Sequence, residues 1–302
     1  MARRWQSACL SAAHAGAAAR VENVSASSTA SQLNRLDGLR ADLREMIREQ
    51  VEYSELLVSL ARRDLTIRYK QTALGFGWAV FVPVLHTAIF TVIFTRATSI
   101  DTGGVPYPLF AYCGLLPWNL FGSSLKLAVV SLTANTSLVT KVYFPREMFP
   151  FAAVLVALVD FAVASTLLVG LMIYFGIGAS WALLFLPVIL GIQVLFTLGL
   201  ALLLSMANLF YRDVKYVFEV ALTVWMFATS VVYPVQLVGG TLGALLLLNP
   251  MTTIIDAYRN VIIHGQLPGA GSMAAVAVVA VLTLALSWIC FHRAEFRFAE
   301  NI

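Results

Sequence analysis

Six stretches of about twenty apolar residues, each long enough to cross a hydrocarbon layer as a helix, constrain this chain more than any other feature of its sequence. Gly75 to Phe94 carries no Lys, Arg, Asp or Glu, Pro108 to Leu132 is interrupted by Pro117 and Lys126, and Phe149 to Tyr174 contains Asp160. Trp181 to Leu209 is uncharged, a fifth run extends from Tyr216 to Tyr233, and Met273 to Phe291 is the last. The expected fold is therefore an all-α polytopic membrane protein with six transmembrane helices, over residues 75–94, 108–132, 149–174, 181–209, 216–233 and 273–291. Composition agrees: 60% of the 302 residues are hydrophobic, 12% are charged and the mean hydropathy is +0.83, which leaves too few charges to cover a water-facing surface.

Outside the spans the pattern changes. Residues 1–32 are rich in Ala and Ser without hydrophobic periodicity and are expected to be disordered; Gln6, Ser7, Ser11 and His14 interrupt what would otherwise compete as a secretory signal core. Residues 33–62 place Leu33, Leu36, Leu43, Ile47, Val51, Leu57 and Leu60 at three- and four-residue steps, with Arg40, Arg44, Arg48, Glu45 and Glu49 opposite. That is an amphipathic helix, broken near Tyr53, and its place before a span suits the membrane surface better than a coiled coil. Val235 to Leu248 is apolar but short and glycine-rich, and reads as a re-entrant or interfacial piece followed by an amphipathic helical turn from Thr253 to Ile263.

Basic residues set the orientation. With the N-terminus inside, inner segments hold ten (Arg62, Arg63, Arg68, Lys70, Lys141, Arg146, Arg212, Lys215, Arg293 and Arg297) and outer segments hold two, Arg96 and Arg259, so an even number of crossings with both termini cytoplasmic is expected. The net charge of +4 is not gathered into a patch, which speaks against nucleic acid. Cys9, Cys113 and Cys290 and the four histidines are scattered, so no metal site is assigned, and any such site would have to be assembled by the fold. No Gly-Lys dipeptide exists for a phosphate-binding loop, and no hydrolase or zinc-protease motif is present, so no catalytic residue is assigned. Within the spans, Lys126 and Asp160 each need a partner and are expected to pair with one another. Glu219 belongs at an interface.

Four segments carry a family resemblance: Arg68 to Pro83 (RYKQTALGFGWAVFVP), Lys141 to Phe151 (KVYFPREMFPF) with Asp160 and Phe161 beyond it, Asn208 to Val217 (NLFYRDVKYV) and Leu248 to Ile262 (LNPMTTIIDAYRNVI). Together they resemble the polysaccharide-exporting type 2 ABC transporter permeases, the family of O-antigen and teichoic-acid exporters, from about Leu56 to the C-terminus. The resemblance implies a transmembrane domain over residues 63–302 that pairs with a second copy of itself and with two copies of a separate ABC ATPase. It also implies an inner-membrane location with membrane lipid around the chain, a lipid-linked polysaccharide as substrate, and outer re-entrant helices between spans five and six. No cofactor is bound by this chain in that reading; ATP and Mg²⁺ belong to the partner subunit.

The resemblance further implies that the inner loops after spans two and four couple to the ATPase, which assigns Lys141, Tyr143, Arg146, Glu147, Arg212, Asp213 and Lys215 to coupling; the basic members serve equally well to hold topology. Trp78 and Phe81 in the first span and Trp225, Phe227 and Tyr233 in the fifth are candidates for a polymer path, since sugar C–H faces pack on aromatic rings, although any one of them suits a lipid-facing belt. The competing functions are an ABC permease for a drug or simple lipid and a membrane-embedded glycan-modifying enzyme.

Overall fold

The computed structural model describes residues 52–96, 104–136, 138, 145–234, 240, 243, 246, 248–295 and 298. Among these, all regular structure is helical: α1 (Ser54–Tyr69), α2 (Gly77–Arg96), α3 (Tyr107–Ala134), α4 (Met148–Tyr174), a 3-10 turn (Trp181–Phe185), α5 (Leu186–Phe210), α6 (Val214–Phe227), α7 (Pro250–Ile262) and α8 (Ala270–Glu295). Five helical stretches are long and apolar enough to cross a membrane, matching the first four expected spans and the last. The expected fifth differs: α6 is 14 residues long, about 21 Å at 1.5 Å per residue, and ends six residues before Tyr233.

Of the helix expected over residues 33–62, with its break near Tyr53, the part after the break can be described. α1 begins at Ser54 and continues through Tyr69, because Leu60, Ala61 and Tyr69 are buried and hold its far end; residues 33–51 lie outside the described residues. The chain reverses into α2 through Gln71, whose φ of +65° is a left-handed conformation uncommon for a side chain other than Gly or Asn. Pro250 opens α7 and Gly265, at φ +63°, follows its end, as a helix bracketed by Pro and Gly should.

α3 is the central helix. It packs on α2, α4, α5, α6 and α7, and Leu109, Tyr112, Cys113, Phe121, Leu125 and Leu132 are all at most 1% exposed. α2 lies at the periphery, with Trp78, Phe81, Leu85, Ile89 and Val92 exposed. Burial by lipid replaces burial by protein for such a face, so helix association leans on close packing and buried hydrogen bonds. Gln193 Nε2 donates to the Pro117 carbonyl (2.7 Å) and Tyr112 donates to the Ala164 carbonyl (2.7 Å), tying α5 and α4 to α3. Aromatic side chains stand exposed at both ends of the bundle, Tyr174 and Trp181 at one and Tyr211 and Tyr216 at the other, where amphipathic rings meet the membrane interface.

α5 and α8 touch backbone to backbone. A Cβ added at Gly199 would stand 2.8 Å from the Leu284 amide nitrogen, whereas one at Gly191 on the same helix meets nothing within 4 Å. Gly199→Leu should therefore push the two helices apart, at a cost of about 1–3 kcal/mol or more, and lower the unfolding temperature of the purified chain in detergent. Gly191→Leu should leave it unchanged or raised, since it removes a helical glycine without a clash. Equal stability of the two variants would contradict the contact.

Candidate functional site

Where α6 ends, the backbone runs irregularly through Thr229, Ser230, Val231 and Val232, all at most 3% exposed. Carbonyls released from a helix end need donors, and hydrocarbon supplies none. Four donations from side chains meet this demand. Asn249 Nδ2 donates to the Ala228 carbonyl (3.2 Å), Arg259 donates through its two terminal nitrogens to the carbonyls of Ser230 and Val231 (2.7 Å each), and the Tyr107 hydroxyl donates to the Val232 carbonyl (2.8 Å).

Asn249 also caps α7 by accepting from the Met251 amide (3.1 Å) and accepts from the Trp225 indole (3.2 Å). Arg259, 4% exposed, lies 3.8 Å from the Phe110 ring centroid and 3.4 Å from Asp256 Oδ1. Gly114 on α3 makes room for this junction, because a Cβ there would collide with the Val231 carbonyl and with the guanidinium. Arg259 is thus a buried residue that closes two backbone carbonyls, a role its count as an outer charge did not anticipate.

Between α1, α2, α3 and α4 lies a cavity of about 260 Å³, lined by Arg68, Tyr69, Trp78, Pro83, Asn119, Asp160 and Phe161 among others. Its polar wall is one cluster: Arg68 is 2.9 Å from Asp160 Oδ2, and the Tyr69 hydroxyl donates to Asp160 Oδ1 at 2.6 Å. Burial first, then the bond to Asp160, pushes the Tyr69 phenol up to about 12, so it remains a neutral donor at neutral pH. Asn119 and Ser123 of α3 add polar groups to a wall that is otherwise aliphatic and aromatic, so the cavity suits a small amphipathic group.

This arrangement corrects the expected Lys126 to Asp160 pair. The partners of Asp160 are Arg68 and Tyr69, and Lys126 is exposed. A carboxylate twelve residues into an apolar helix finds its counter-charge in the last turn of α1, which span arithmetic does not register.

The other assigned residues separate. Trp78 and Phe81 remain together, edge to face at 5.5 Å, both exposed on α2. Phe227 is exposed, while the Tyr233 hydroxyl folds back to the Phe227 carbonyl (2.7 Å). Trp225 is half-buried: its ring meets Phe121 edge to face at 5.2 Å and its N–H is bound to Asn249. Of the coupling residues, Lys141 and Tyr143 lie outside the described residues. Arg212 and Asp213 are exposed, and Lys215 Nζ lies 4.7 Å from the Tyr216 ring centroid. Arg146 is engaged with the end of α8: its amide donates to Glu295 Oε1 (3.1 Å) and its guanidinium to the Glu295 carbonyl (2.6 Å). Glu147 is 2% exposed and receives the Trp288 indole (3.3 Å). A residue expected to be displayed, Glu147, is thus buried, because α4 starts directly after it and packs its first turn inward.

Comparison with known proteins identifies residues 55–263 with the family described as ABC-2 type transporter. Relatives include the O-antigen export system permease protein RfbA of Myxococcus xanthus, 32% identical over 85% of this chain and 99% of that protein. A Klebsiella pneumoniae protein of the same description is 26% identical over 82% of this chain and 94% of its own length. The polysialic acid transport protein KpsM of Escherichia coli is 21% identical over 83% and 98%.

The Arg259 junction generates a stability test. Arg259→Met leaves two buried carbonyls unpaired, at about 1–3 kcal/mol each, and should sharply reduce the yield of monodisperse protein and its unfolding temperature. Arg259→Lys keeps the charge but not the planar fork and should fall between. Wild-type unfolding by Arg259→Met would remove Arg259 from this role.

Proposed function

Since this chain belongs to the ABC-2 type transporter family, we propose that it is the permease subunit of an ATP-driven exporter carrying a lipid-linked polysaccharide, O-antigen or a similar cell-surface polymer, across the inner membrane. The observation that carries this reading is the match to an O-antigen export permease along nearly the whole of that protein. The four quoted motifs support it, since each falls wholly or largely within the stretch that matches the family. ATP and Mg²⁺ are handled by a separate ATPase, in keeping with the missing phosphate loop.

The working unit in this proposal is two copies of the chain with two ATPase subunits. A cavity of about 260 Å³ is too small for a polymer, whereas two copies meeting across a two-fold axis can part along their shared face. α2 and α6 flank α3 and present exposed rows, Trp78, Phe81 and Leu85 on one and Tyr216, Val220, Val224 and Phe227 on the other; Trp78, Phe81 and Phe227 are the aromatic members of the proposed path. Trp225 and Tyr233 act behind it, by fixing the end of α6.

Six crossings are retained by taking α6 together with the irregular stretch to Tyr233 as the fifth, its carbonyls closed by Asn249, Arg259 and Tyr107. Both termini are cytoplasmic in this topology, and α7 belongs to an outer re-entrant pair. The segment 141–147 and the loop with Arg212, Asp213 and Lys215 would then meet the ATPase, with Arg146 and Glu147 acting through the end of α8.

Reconstituted with its ATPase in vesicles, the chain should move lipid-linked polymer on addition of ATP. ATP-driven movement of a drug or simple lipid with none of polymer would favour the competing permease reading. Arg212→Glu, at an exposed site, should lower polymer export about tenfold or more (about 1.4 kcal/mol of coupling) while the chain still assembles; unaltered export would exclude this loop from coupling. Cysteines placed at Asp101 and Asn301 should label from opposite sides of intact cells, Asn301 from within. Labelling of Asn301 from outside would overturn the six-crossing topology.

A further inference from the structure

The start of α4 and the end of α8, distant in sequence, bring Glu147, His292 and Glu295 together, with one ligand atom from each within 4.8 Å of the others. His292 Nδ1 lies 3.7 Å from Glu147 Oε1 and 3.9 Å from Glu295 Oε2. We propose that these three side chains form a binding site for a first-row divalent cation of the zinc class, clamping the segment around Arg146 to the C-terminal end of α8.

Several independent features favour a cation here. Glu147 is 2% exposed, and its Oε2 and the His292 Nδ1 are both buried atoms with no hydrogen-bond partner. Such groups are rare unless a ligand satisfies them. Bonds of about 2.1 Å to a tetrahedral ion place its ligand atoms about 3.4 Å apart, so the two His292 separations need contract by about half an ångström or less, and the two carboxylates, within 4.8 Å, close on the ion by turning their side chains. One imidazole with two carboxylates suits zinc or a neighbouring transition metal better than Mg²⁺ or Ca²⁺, which favour oxygen alone.

The surroundings are already arranged for this. Trp288 donates to Glu147 Oε1 at 3.3 Å and stands edge to face with Phe151, an orienting bond and an apolar wall of the kind that supports metal ligands. Arg146 takes Glu295 Oε1 and the Glu295 carbonyl, leaving Oε2 turned to His292. Two carboxylates offset the charge of the ion, and three protein ligands leave its fourth position for water. The assignment rests on this geometry and not on the exporter reading.

The test is zinc retention by the purified full chain carrying no histidine tag, stripped with chelator, loaded with Zn²⁺ and desalted. About one zinc per chain is expected, with unfolding at higher temperature than in the stripped protein. His292→Ala and Glu295→Gln, at the more accessible side of the cluster, should each weaken zinc binding by more than the roughly 10–100-fold typical of losing a supporting residue. They should also abolish the thermal shift, read for each variant as the difference between its own zinc-loaded and stripped forms. Glu147→Gln supplements these but sits in the interior and so is not relied upon. A stripped and reloaded wild type that retains no more zinc than His292→Ala, or a thermal shift that persists in both variants, would overturn the site.

Discussion

The two bonds from Arg259 to the carbonyls of Ser230 and Val231 hold together the part of this molecule that membrane physics most resists. A backbone that leaves helical geometry among apolar helices must find donors from protein, and each unmade bond carries the full penalty of desolvation. The planar fork of an arginine serves two successive carbonyls with one side chain, which a lysine cannot. Much else is arranged around it: Gly114 lacks a side chain so that the strand of irregular backbone can lie against α3, Phe110 covers the guanidinium, and α7 exists as a buried helix to deliver both Asn249 and Arg259.

The same logic repeats at two further points. Asp160 would be an unpaired carboxylate inside α4 were it not for Arg68 and Tyr69, which draw the end of α1 against the bundle. At the basic end, Arg146 joins the start of α4 to the end of α8 through Glu295, beside the Glu147 and His292 pair. In each case polar residues fasten an element at the edge of the bundle, while the central helix α3 is held by side-chain packing and by the Gln193 and Tyr112 bonds. Inter-helical hydrogen bonds are modest singly, but here they decide which peripheral piece sits where.

Much of this was legible in the chain. Apolar run length anticipated five of the long helices, because crossing hydrocarbon requires a minimum number of consecutive apolar residues and the count is local. The four motifs pointed to the transporter family that residues 55–263 match. The residues within those motifs were less readable. The same holds outside them: depth along an apolar run marked Trp225 as a candidate path residue but says nothing about which face meets protein, and its half-buried ring stands against Phe121. Arg259 entered only as one more outer charge, because topology rules treat every arginine alike; that it also closes two buried carbonyls is a matter of the fold.

What the amino-acid sequence by itself determined is therefore the one-dimensional part: which segments are apolar enough to span, that the chain lacks an ATP-binding loop, and to which family it belongs. Partnership was decided only by the tertiary structure. Asp160 meets Arg68 and not Lys126, the regular helix in the expected fifth span ends at Phe227, and Glu147 meets His292 from far along the chain. The reason is physical: span length depends on neighbours along the chain, whereas the partner of a buried polar group depends on helix rotation and depth. Those are set jointly by every close contact in the bundle, such as that between Gly199 and the backbone of Leu284.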